Sequence, residues 1–237
     1  MILSAVRVVL AALFTAFMAA IMTLTSLVIR SERAYYSMAR FYSRTVLALC
    51  GVDLIVEGVE RVDFNQNHVL VANHASMFDI PAVIAGLPGE VRIVYKKELE
   101  RIPVFGWGLR YGGTYIAINR RNRQEAMHGL EEAAAKITRG GGSVLMFGEG
   151  TRTEDGKLQP FKRGPFNLAA KAGVPVVPLT INGSYKIMPK GSLRIEPGTI
   201  TLVVERPIQP RGSNGKSSEL AMRDDVHAAI ERNYKNQ

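Results

Sequence analysis

The chain has 237 residues, which is enough for one large α/β domain with an additional segment and short for two full domains. Hydrophobic residues make up 47% of it, so a sizeable core can form and wholesale disorder is excluded. The formal net charge of +9 indicates an anionic partner, which is nucleic acid, an acidic membrane or a phosphorylated substrate, and the single cysteine excludes an internal disulfide.

An uncharged apolar run occupies residues 8–29, between Arg7 and Arg30. As a helix it would extend roughly 33 Å, which matches the hydrocarbon core of a bilayer at about 30 Å. The alternatives are a buried soluble helix and a secretory signal peptide. A signal peptide has a shorter apolar region, and no small-residue cleavage site is evident before Arg30. We therefore predict an uncleaved membrane segment.

A basic amphipathic helix is predicted at residues 33–50. Apolar side chains recur along one side at helical spacing, at Ala34, Met38, Phe41, Thr45 and Leu49. Arginines fall on the other side, at Arg33, Arg40 and Arg44. Such a helix suits an anionic headgroup layer, and the alternative is an ordinary surface helix packed on the domain. More arginines follow the apolar run than precede it, so the positive-inside rule predicts a cell (inner) membrane protein with the rest of the chain on the cytoplasmic face.

Residues 51–237 alternate strand-like and helix-like segments, which predicts one α/β domain after an anchor of residues 1–50. The apolar, β-rich runs are His68–Ala72, Val91–Tyr95, Thr114–Ile118, Ser143–Phe147, Val174–Ile181 and Thr199–Val204. The clearest helical pattern is Arg123–Arg139, and a last helix is predicted from Ser218 to about Tyr234. The predicted fold is a mixed, largely parallel sheet flanked by helices.

The first chemical motif begins where the apolar run 68–72 ends in Asn73 and His74. Open α/β sheets place ligands at the carboxyl ends of their strands. Asp79 can reach His74 if His74 ends the strand and Asp79 lies on the first turn of the next helix. A carboxylate would then fix the imidazole tautomer, and the other ring nitrogen would take a proton from a hydroxyl. On its own, a histidine at a strand end is more often structural.

Three further motifs follow other apolar runs. Glu149 to Arg152 follows the run 143–147 with a glycine on each side of Glu149, and Arg152 can hold a phosphate through two hydrogen bonds. The run 114–118 leads to Arg120, which a solvated basic patch would also explain. Two prolines, Pro175 and Pro178, argue against a regular central strand at residues 174–181. A hairpin-like turn with surface charges is the alternative for residues 149–152.

In this order the four motifs resemble the glycerolipid acyltransferases, specifically the 1-acyl-sn-glycerol-3-phosphate acyltransferases. The family's Asn-His-x-x-x-x-Asp motif is matched by Asn73, His74 and Asp79. Its Phe-Pro-Glu-Gly-Thr-Arg motif is matched by Phe147, Glu149, Gly150, Thr151 and Arg152, with Gly148 where the family usually has proline. Its glycine-led strand ending in arginine is matched loosely by Gly113, Ile116 and Arg120, and its Val-Pro-x-x-Pro strand by Val174, Pro175 and Pro178.

The resemblance implies transfer of a fatty acyl group from acyl-CoA or an acyl carrier protein to the sn-2 hydroxyl of lysophosphatidic acid, which forms phosphatidic acid. It implies that His74 and Asp79 are catalytic and that the glycerol phosphate is bound by Arg120, Arg152 and, more weakly, Lys97. Glu149 would order its loop, with Gly150 and Thr151 part of the binding segment. The partners implied are the acyl donor, lysophosphatidic acid and an anionic membrane surface.

Other classes of function fit the sequence less well. No Gly-x-Ser-x-Gly elbow is present, so a serine acyl-enzyme lacks its usual turn, and we expect direct transfer. The four histidines are scattered without metal-ligand spacing, so we expect neither a metal nor another cofactor. Nucleic-acid binding would explain the charge but not the apolar anchor. Two alternatives stay open: an acyltransferase of another lysolipid, such as a lyso-ornithine lipid, and a non-catalytic, membrane-anchored phospholipid-binding protein.

Overall fold

The computed structural model describes residues 2–29, 31–103, 105–111, 115–119, 123–139, 142–210 and 215–235. The helices are α1 Ile2–Val28, α2 Glu32–Leu49, α3 Asp79–Gly86, α4 Phe105–Tyr111, α5 Arg123–Thr138, α6 Gly164–Ala172, α7 Ser184–Ile187 and α8 Lys216–Asn233. The strands are β1 Val52–Glu57, β2 Val69–Ala72, β3 Val91–Lys96, β4 Ile116–Ile118, β5 Ser143–Phe147, β6 Val176–Asn182 and β7 Gly198–Val204. Short 3₁₀ helices lie at Val59–Arg61 and Lys97–Arg101.

The described strands form one sheet in the order β1-β7-β6-β2-β5-β3-β4. Neighbouring strands are parallel throughout, except that β7 runs antiparallel to β6. This confirms the predicted mixed, largely parallel sheet. Strands β6, β2, β5, β3 and β4 therefore all end at one edge of the sheet, which we call the carboxyl edge, and β7 and β1 begin there.

Helices cover both faces of the sheet, and the central strand β2 shows how. Its four residues are all fully buried, with Leu70 and Ala72 in one core cluster and Val69 and Val71 in the other. The first cluster includes residues of α1, α2 and α3, and the second includes residues of α5, α6 and α8. A continuous apolar run is typical of a parallel strand that is buried on both faces, because successive side chains point to opposite sides.

The sequence-based expectation for the two prolines was wrong, because β6 is a regular and fully buried central strand that contains Pro178. The amide of Val176 bonds to Ile208 on the β7 side, and alternation puts the nitrogen of residue 178 on that side too. Regular pairing with β7 stops at Val204, so the nitrogen of Pro178 faces irregular backbone between Val204 and Ile208. The missing N–H therefore costs the ladder no hydrogen bond.

Helix α1 packs beside α2 as a hairpin and leaves much of its apolar surface exposed. The ring of Phe14 stacks on Tyr42 with 5.8 Å between centroids, while Met18 and Met22 are buried. Its exposed large apolar residues include Leu3, Val6, Leu10, Leu13, Phe17, Leu24 and Leu27. Within the described ranges, α1 alone is long and apolar enough to cross a membrane, a test that core helices and signal sequences also pass.

Both ends of α1 contact the rest of the protein near the carboxyl edge. Close to its start, the amide of Ile195 donates to the hydroxyl of Ser4 at 2.9 Å. Close to its end, Gly108 of α4 packs against Ala19 and Thr23, at distances that leave room for little more than a methyl group. Ile195 lies just before β7 and α4 follows β3, so α1 extends along this edge from the β7 side of the sheet to the β3 side.

Helix α2 is buried on a side one residue removed from the predicted one. The buried residues include Tyr35, Ala39, Val46 and Leu47, whereas Phe41, on the predicted apolar side, is exposed. The difference arises because α2 lies between two partners, with α3 on one side and α1 on the other.

Two arginine contacts fix α2 to the domain. Arg40, predicted to face headgroups, instead donates to the carbonyls of Leu87 and Gly89 at the end of α3, and Arg92 of β3 pairs with Glu32 at the start of α2. Arg33 and Arg44 are exposed.

Candidate active site

The two central parallel strands carry the predicted motifs to the same place. Ala72 of β2 lies opposite Phe147 of β5, so His74 and Glu149 both stand two residues beyond the paired ends. Two backbone hydrogen bonds continue the contact past the strands, from the amide of Gly148 to the carbonyl of Ala72 and from the amide of Thr153 to the carbonyl of His74, each at 2.8 Å. The motif at Asn73 and His74 and the motif of residues 149–152 therefore form one site at the carboxyl edge.

His74 and Asp79 are in direct contact, in the arrangement that the sequence allowed. Nδ1 of His74 lies 2.7 Å from Oδ2 of Asp79, which is fully buried on the first turn of α3. The same oxygen accepts the amides of Ala75 and Ser76 at 2.8 and 2.9 Å. An ionised carboxylate accepts only, so Nδ1 carries the proton and Nε2 is left as the basic nitrogen. Nε2 has no hydrogen bond to a described residue, and 16% of the His74 side chain is exposed.

The imidazole is also fixed by contacts that the sequence did not reveal. The ring of Phe147 stacks on it with centroids 3.7 Å apart and planes 12° apart. The preceding residue, Asn73, accepts the amide of Ile181 and donates to its carbonyl, at 2.8 and 2.9 Å. These two bonds replace main-chain pairing between β2 and β6 where β2 has ended. The backbone that carries His74 is thus held from both neighbouring strands.

Glu149 supports the backbone of His74. Its Oε1 accepts the amide of His74 at 2.8 Å, and its side chain is buried. Burial raises the pKa of Glu149 from 4.5 to about 7, although hydrogen bonds from the amides of His74 and Gln159 oppose the rise. Burial disfavours the charged form of a carboxyl, and amide donors favour it. Through this bond the side chain of Glu149 connects the segment after β5 to the backbone of His74.

The segment after Glu149 forms a tight turn that leads to Arg152. Gly150 adopts a left-handed conformation with φ of 74°, and its amide bonds to the carbonyl of Phe147. Thr151 is exposed. Arg152 is half-buried, and its guanidinium has no hydrogen bond or ion pair with any described residue. A partly buried guanidinium with no partner among the described residues is suited to an anionic ligand, and the residue after it, Thr153, bonds to the backbone of His74.

The loop beyond Arg152 is attached to the C-terminal half of the chain. The hydroxyl of Tyr234, just after α8, donates to the carbonyl of Gly156 at 2.6 Å. The hydroxyl of Tyr185 in α7 donates to the carbonyl of Glu154 at 2.8 Å. These contacts involve residues that no motif singled out. They tie the loop to segments that adjoin β6, since α7 directly follows that strand and the amide of Lys235 bonds to Asn182 at its end.

The other two predicted phosphate ligands have different outcomes. Lys97 follows β3 at the carboxyl edge, is exposed, and lies 4.0 Å from Glu125. Arg120 lies outside the described residues, as does Gly113 at the start of its motif. The strand of that motif is β4, and Asn119 just after it donates to Glu125 at 3.1 Å.

The other histidines and the single cysteine have surroundings unlike those of His74. Among the described residues, no group of three or more His, Cys, Asp or Glu side chains is arranged to hold a metal. His128 is exposed beside Glu132, His227 packs on Phe161, and Cys50 is buried at the end of α2.

Comparison with known proteins gives consistent matches. The family model for acyltransferases matches residues 53–182, more than half of the chain. A chloroplastic 1-acyl-sn-glycerol-3-phosphate acyltransferase of Brassica napus is 36% identical over 155 residues, 65% of this chain and 44% of that protein. The yeast Saccharomyces cerevisiae enzyme of the same name is 31% identical over 170 residues, 70% of this chain and 55% of that protein. The chain spans about half the length of the curated relatives it matches.

A solved structure matches over almost the whole chain. It is the crystal structure of the 1-acyl-sn-glycerophosphate acyltransferase PlsC from Thermotoga maritima, with a TM-score of 0.80 and 28% sequence identity. The match covers 98% of this chain and 93% of that one, so it includes the two N-terminal helices as well as the sheet.

Proposed function

The chain belongs to the acyltransferase family, and from that premise we propose that it transfers a fatty acyl group to the sn-2 hydroxyl of 1-acyl-sn-glycerol 3-phosphate, which yields phosphatidic acid. The relatives and the solved structure described above carry this activity in their names. The observation that carries the proposal is the contact between His74 and Asp79, with Nε2 of the imidazole free of hydrogen bonds to the described residues and Arg152 in the adjoining loop. Binding a phospholipid would need the arginine but not the base.

In the proposed reaction His74 is the general base. Its Nε2 takes the proton of the sn-2 hydroxyl while that oxygen attacks the acyl carbon of a thioester, acyl-CoA or acyl carrier protein. A carbon–oxygen ester bond forms, the carbon–sulfur bond breaks, and the proton passes to the departing thiolate. The buried carboxylate of Asp79 stabilises the imidazolium that forms and keeps Nδ1 protonated.

Arg152 is the proposed ligand of the glycerol phosphate, with Lys97 and Arg120 as further candidates. The guanidinium fork can bind two phosphate oxygens at once, and Arg152 has no competing carboxylate among the described residues. Lys97 stands at the same edge of the sheet but faces Glu125, which supports a weaker contribution. Glu149 has the role of positioning His74, because its carboxylate contacts the main chain of that residue.

We further propose that α1 anchors the protein by lying in the membrane surface and does not cross the bilayer. Its contacts through Ser4 and through Ala19 hold it against the same edge of one domain. The helix length between these contacts, about 22 Å, agrees with the width of the strands from β7 to β3, about 19 Å. A helix fixed across a domain in this way exposes its outer apolar side to a single leaflet. The cytoplasmic face of the cell membrane stays a proposal from the arginine distribution.

The direct test offers the purified full chain a labelled acyl donor and a panel of lysolipids, and identifies the products by thin-layer chromatography. We expect labelled phosphatidic acid from lysophosphatidic acid. Running acyl-CoA and acyl carrier protein in parallel identifies the donor, and His74→Ala serves as the blank. Labelling of another lysolipid in preference, such as a lyso-ornithine lipid, would reassign the acceptor. Binding of lysolipid with no label transferred from either donor would contradict the enzymatic proposal.

A further inference from the structure

Helix α4 exposes aromatic side chains that neither the proposed reaction nor the core uses. Trp107 and Tyr111 are about half exposed, at 51% and 49%, and they share one side of the helix because they are four residues apart. Ile102, just before α4, is 46% exposed, and the amide of Gly106 bonds to its carbonyl. Exposing the single tryptophan to water beside a tyrosine and an isoleucine contributes no stability to a folded domain. We call this cluster the α4 patch, and exposed apolar side chains that occur together mark interaction surfaces, whereas single ones need no explanation.

The α4 patch is continuous with the exposed apolar surface of α1. Gly108, the residue next to Trp107, packs against Ala19 and Thr23 of α1. Leu24, the residue next to Thr23, is 64% exposed. The hydroxyl of Tyr35 in α2 bonds to the carbonyl of Gly108 at 2.9 Å and locks this junction. The contact between Gly108 and α1 leaves no room for a large side chain between the two helices. Their exposed apolar residues therefore adjoin.

The charges around the patch match an anionic lipid surface. Arg101 precedes α4 and Arg110 lies within it, both exposed, and neither has a carboxylate partner within the described part of the chain. The guanidinium of Arg110 lies over the ring of Tyr111, 5.8 Å from its centroid. Tryptophan and tyrosine flanked by arginine are typical of side chains at the boundary between lipid headgroups and acyl chains.

The topology also puts the patch on the side where a lipid substrate must enter. Strand β3 is parallel to β5, so residues 97–111 leave the sheet at the carboxyl edge, where His74 and Glu149 stand. From these observations we infer that Trp107, Tyr111 and Ile102 form a second membrane-contact surface, which binds the headgroup layer of an anionic phospholipid bilayer together with α1. A contact surface that extends from α1 onto α4 fixes the rotation of the domain about the axis of α1, which one helix cannot do. The inference rests on the proposed membrane-bound reaction.

Trp107 is the only tryptophan of the chain, so its fluorescence reports on the α4 patch in the unmodified wild-type protein. The full chain is reconstituted on vesicles of phosphatidylcholine and phosphatidylglycerol, and Trp107 fluorescence is recorded with lipids brominated at shallow or deep acyl positions. We expect a blue-shifted emission and stronger quenching by the shallow bromines. Protein that floats with the vesicles while its emission stays unquenched overturns the inference, as does a full chain that fails to float.

A double variant, Trp107→Ser with Tyr111→Ser, tests the consequence for activity. Vesicle partition should weaken about tenfold or more, because burying one large apolar side chain contributes at least that factor. Turnover of vesicle-borne lysophosphatidic acid should fall with it, while turnover of a short-chain, water-soluble analogue should stay unchanged. The matched control is Ile55→Ser, which removes a residue of similar exposure, 48%, from β1 at the far side of the sheet. Equal losses in the control and the double variant would contradict the α4 patch.

The outcomes separate this inference from the proposed reaction. Trp107 quenched by lipid in a protein that transfers no acyl group would retain the surface and reject the reaction. Acyl transfer by a vesicle-bound protein whose Trp107 is not quenched would retain the reaction and reject the surface.

Discussion

The ring of Phe161 occupies the space that a side chain at Gly148 would enter. A Cβ atom built on Gly148 would lie 2.6 Å from Cγ of Phe161, closer than real Cβ atoms approach another atom. Gly148 also donates its amide to Ala72, a bond that a proline cannot make. Gly148 stands where the family motif that the chain resembles has proline. The ring of Phe161 fills the space that the side chain of that proline would need.

Gly148→Pro should consequently destabilise this protein, despite restoring the usual residue of the motif. Overpacking typically costs about 1–3 kcal/mol, and loss of the bond to Ala72 adds roughly 1 kcal/mol. The free energy of unfolding in detergent measures the effect. Gly164→Ala is the control, because the nearest atom to its new Cβ is 3.8 Å away. Adding Phe161→Leu to the proline variant should recover part of the loss. A proline variant as stable as the wild type would show that Phe161 yields at no cost.

His74→Ala should abolish most turnover and leave the fold intact. A general base typically contributes a factor of about 10² to 10⁴ in rate. The main-chain bonds of residue 74 to Glu149 and Thr153 do not need the imidazole, and Asp79 keeps two backbone donors. Turnover is compared with circular dichroism and vesicle flotation of the same sample. His128→Ala, on an exposed side chain, should change none of the three. If His74→Ala keeps half of the turnover or more, the assignment of the base is wrong.

Arg152→Lys should weaken capture of the phosphorylated acceptor although it keeps the charge. A point ammonium cannot form the two parallel hydrogen bonds of a guanidinium, and one charged hydrogen bond is worth about tenfold or more. The acceptor KM should rise by that factor while the donor KM stays constant. Arg223→Lys is the matched control, because Arg223 of α8 is also half-buried but already pairs with Asp224. A raised donor KM with an unchanged acceptor KM would assign Arg152 to the thioester donor.

Glu149→Gln should stabilise the protein at alkaline pH. The pKa of Glu149 lies at about 7 in the folded state and at 4.5 ordinarily, so the folded state holds its proton more tightly. The free energy of unfolding of the wild type therefore falls as pH rises from about 4.5 to 7, by up to about 3 kcal/mol. The glutamine variant escapes that loss and retains an acceptor for the amide of His74. Denaturant titrations at pH 5 and pH 8 should show the variant's advantage only at pH 8.

The control for Glu149→Gln is a carboxyl group whose pKa is shifted in the opposite direction. Glu131 is exposed, and its hydrogen bond with Lys171 lowers its pKa. Its change to glutamine should bring no gain at pH 8. If Glu149→Gln loses stability at pH 8, then the hydrogen bonds of its carboxylate outweigh its burial.

The parts of the fold that the sequence predicted are those with strong local patterns. Runs such as Ser143–Phe147 are buried on both faces, so they are continuous and apolar and could be recognised without a partner. Strand β1 was not predicted, because Asp53 and Glu57 interrupt it at the sheet edge, where one side of the strand meets solvent. Pro178 was misjudged for a related reason. Whether a missing N–H matters depends on what the neighbouring strand offers at that point, which is a long-range property.

Only those parts of the candidate site could be predicted in which the residue type itself indicates a chemical role. The sequence allowed His74 and Asp79 to meet on the condition that the chain leaves a strand near His74 and enters a helix at Asp79, and the structure has them in contact. The stacking of Phe147 on the imidazole depends on the register between β2 and β5, which no local pattern encodes. The bond from Tyr234 to Gly156 joins segments far apart in the chain and was equally out of reach.

The course of α1 along the carboxyl edge has a kinetic consequence. With α1 in the membrane surface as proposed, a site at that edge would receive its acceptor by diffusion within the plane of the membrane, and its product would leave by the same route. The quantity that governs the rate is then the mole fraction of acceptor among the lipids, and not its amount per volume of buffer. Diluting the vesicles with inert phospholipid should slow turnover, whereas diluting the same vesicles with buffer should leave turnover per bound enzyme unchanged.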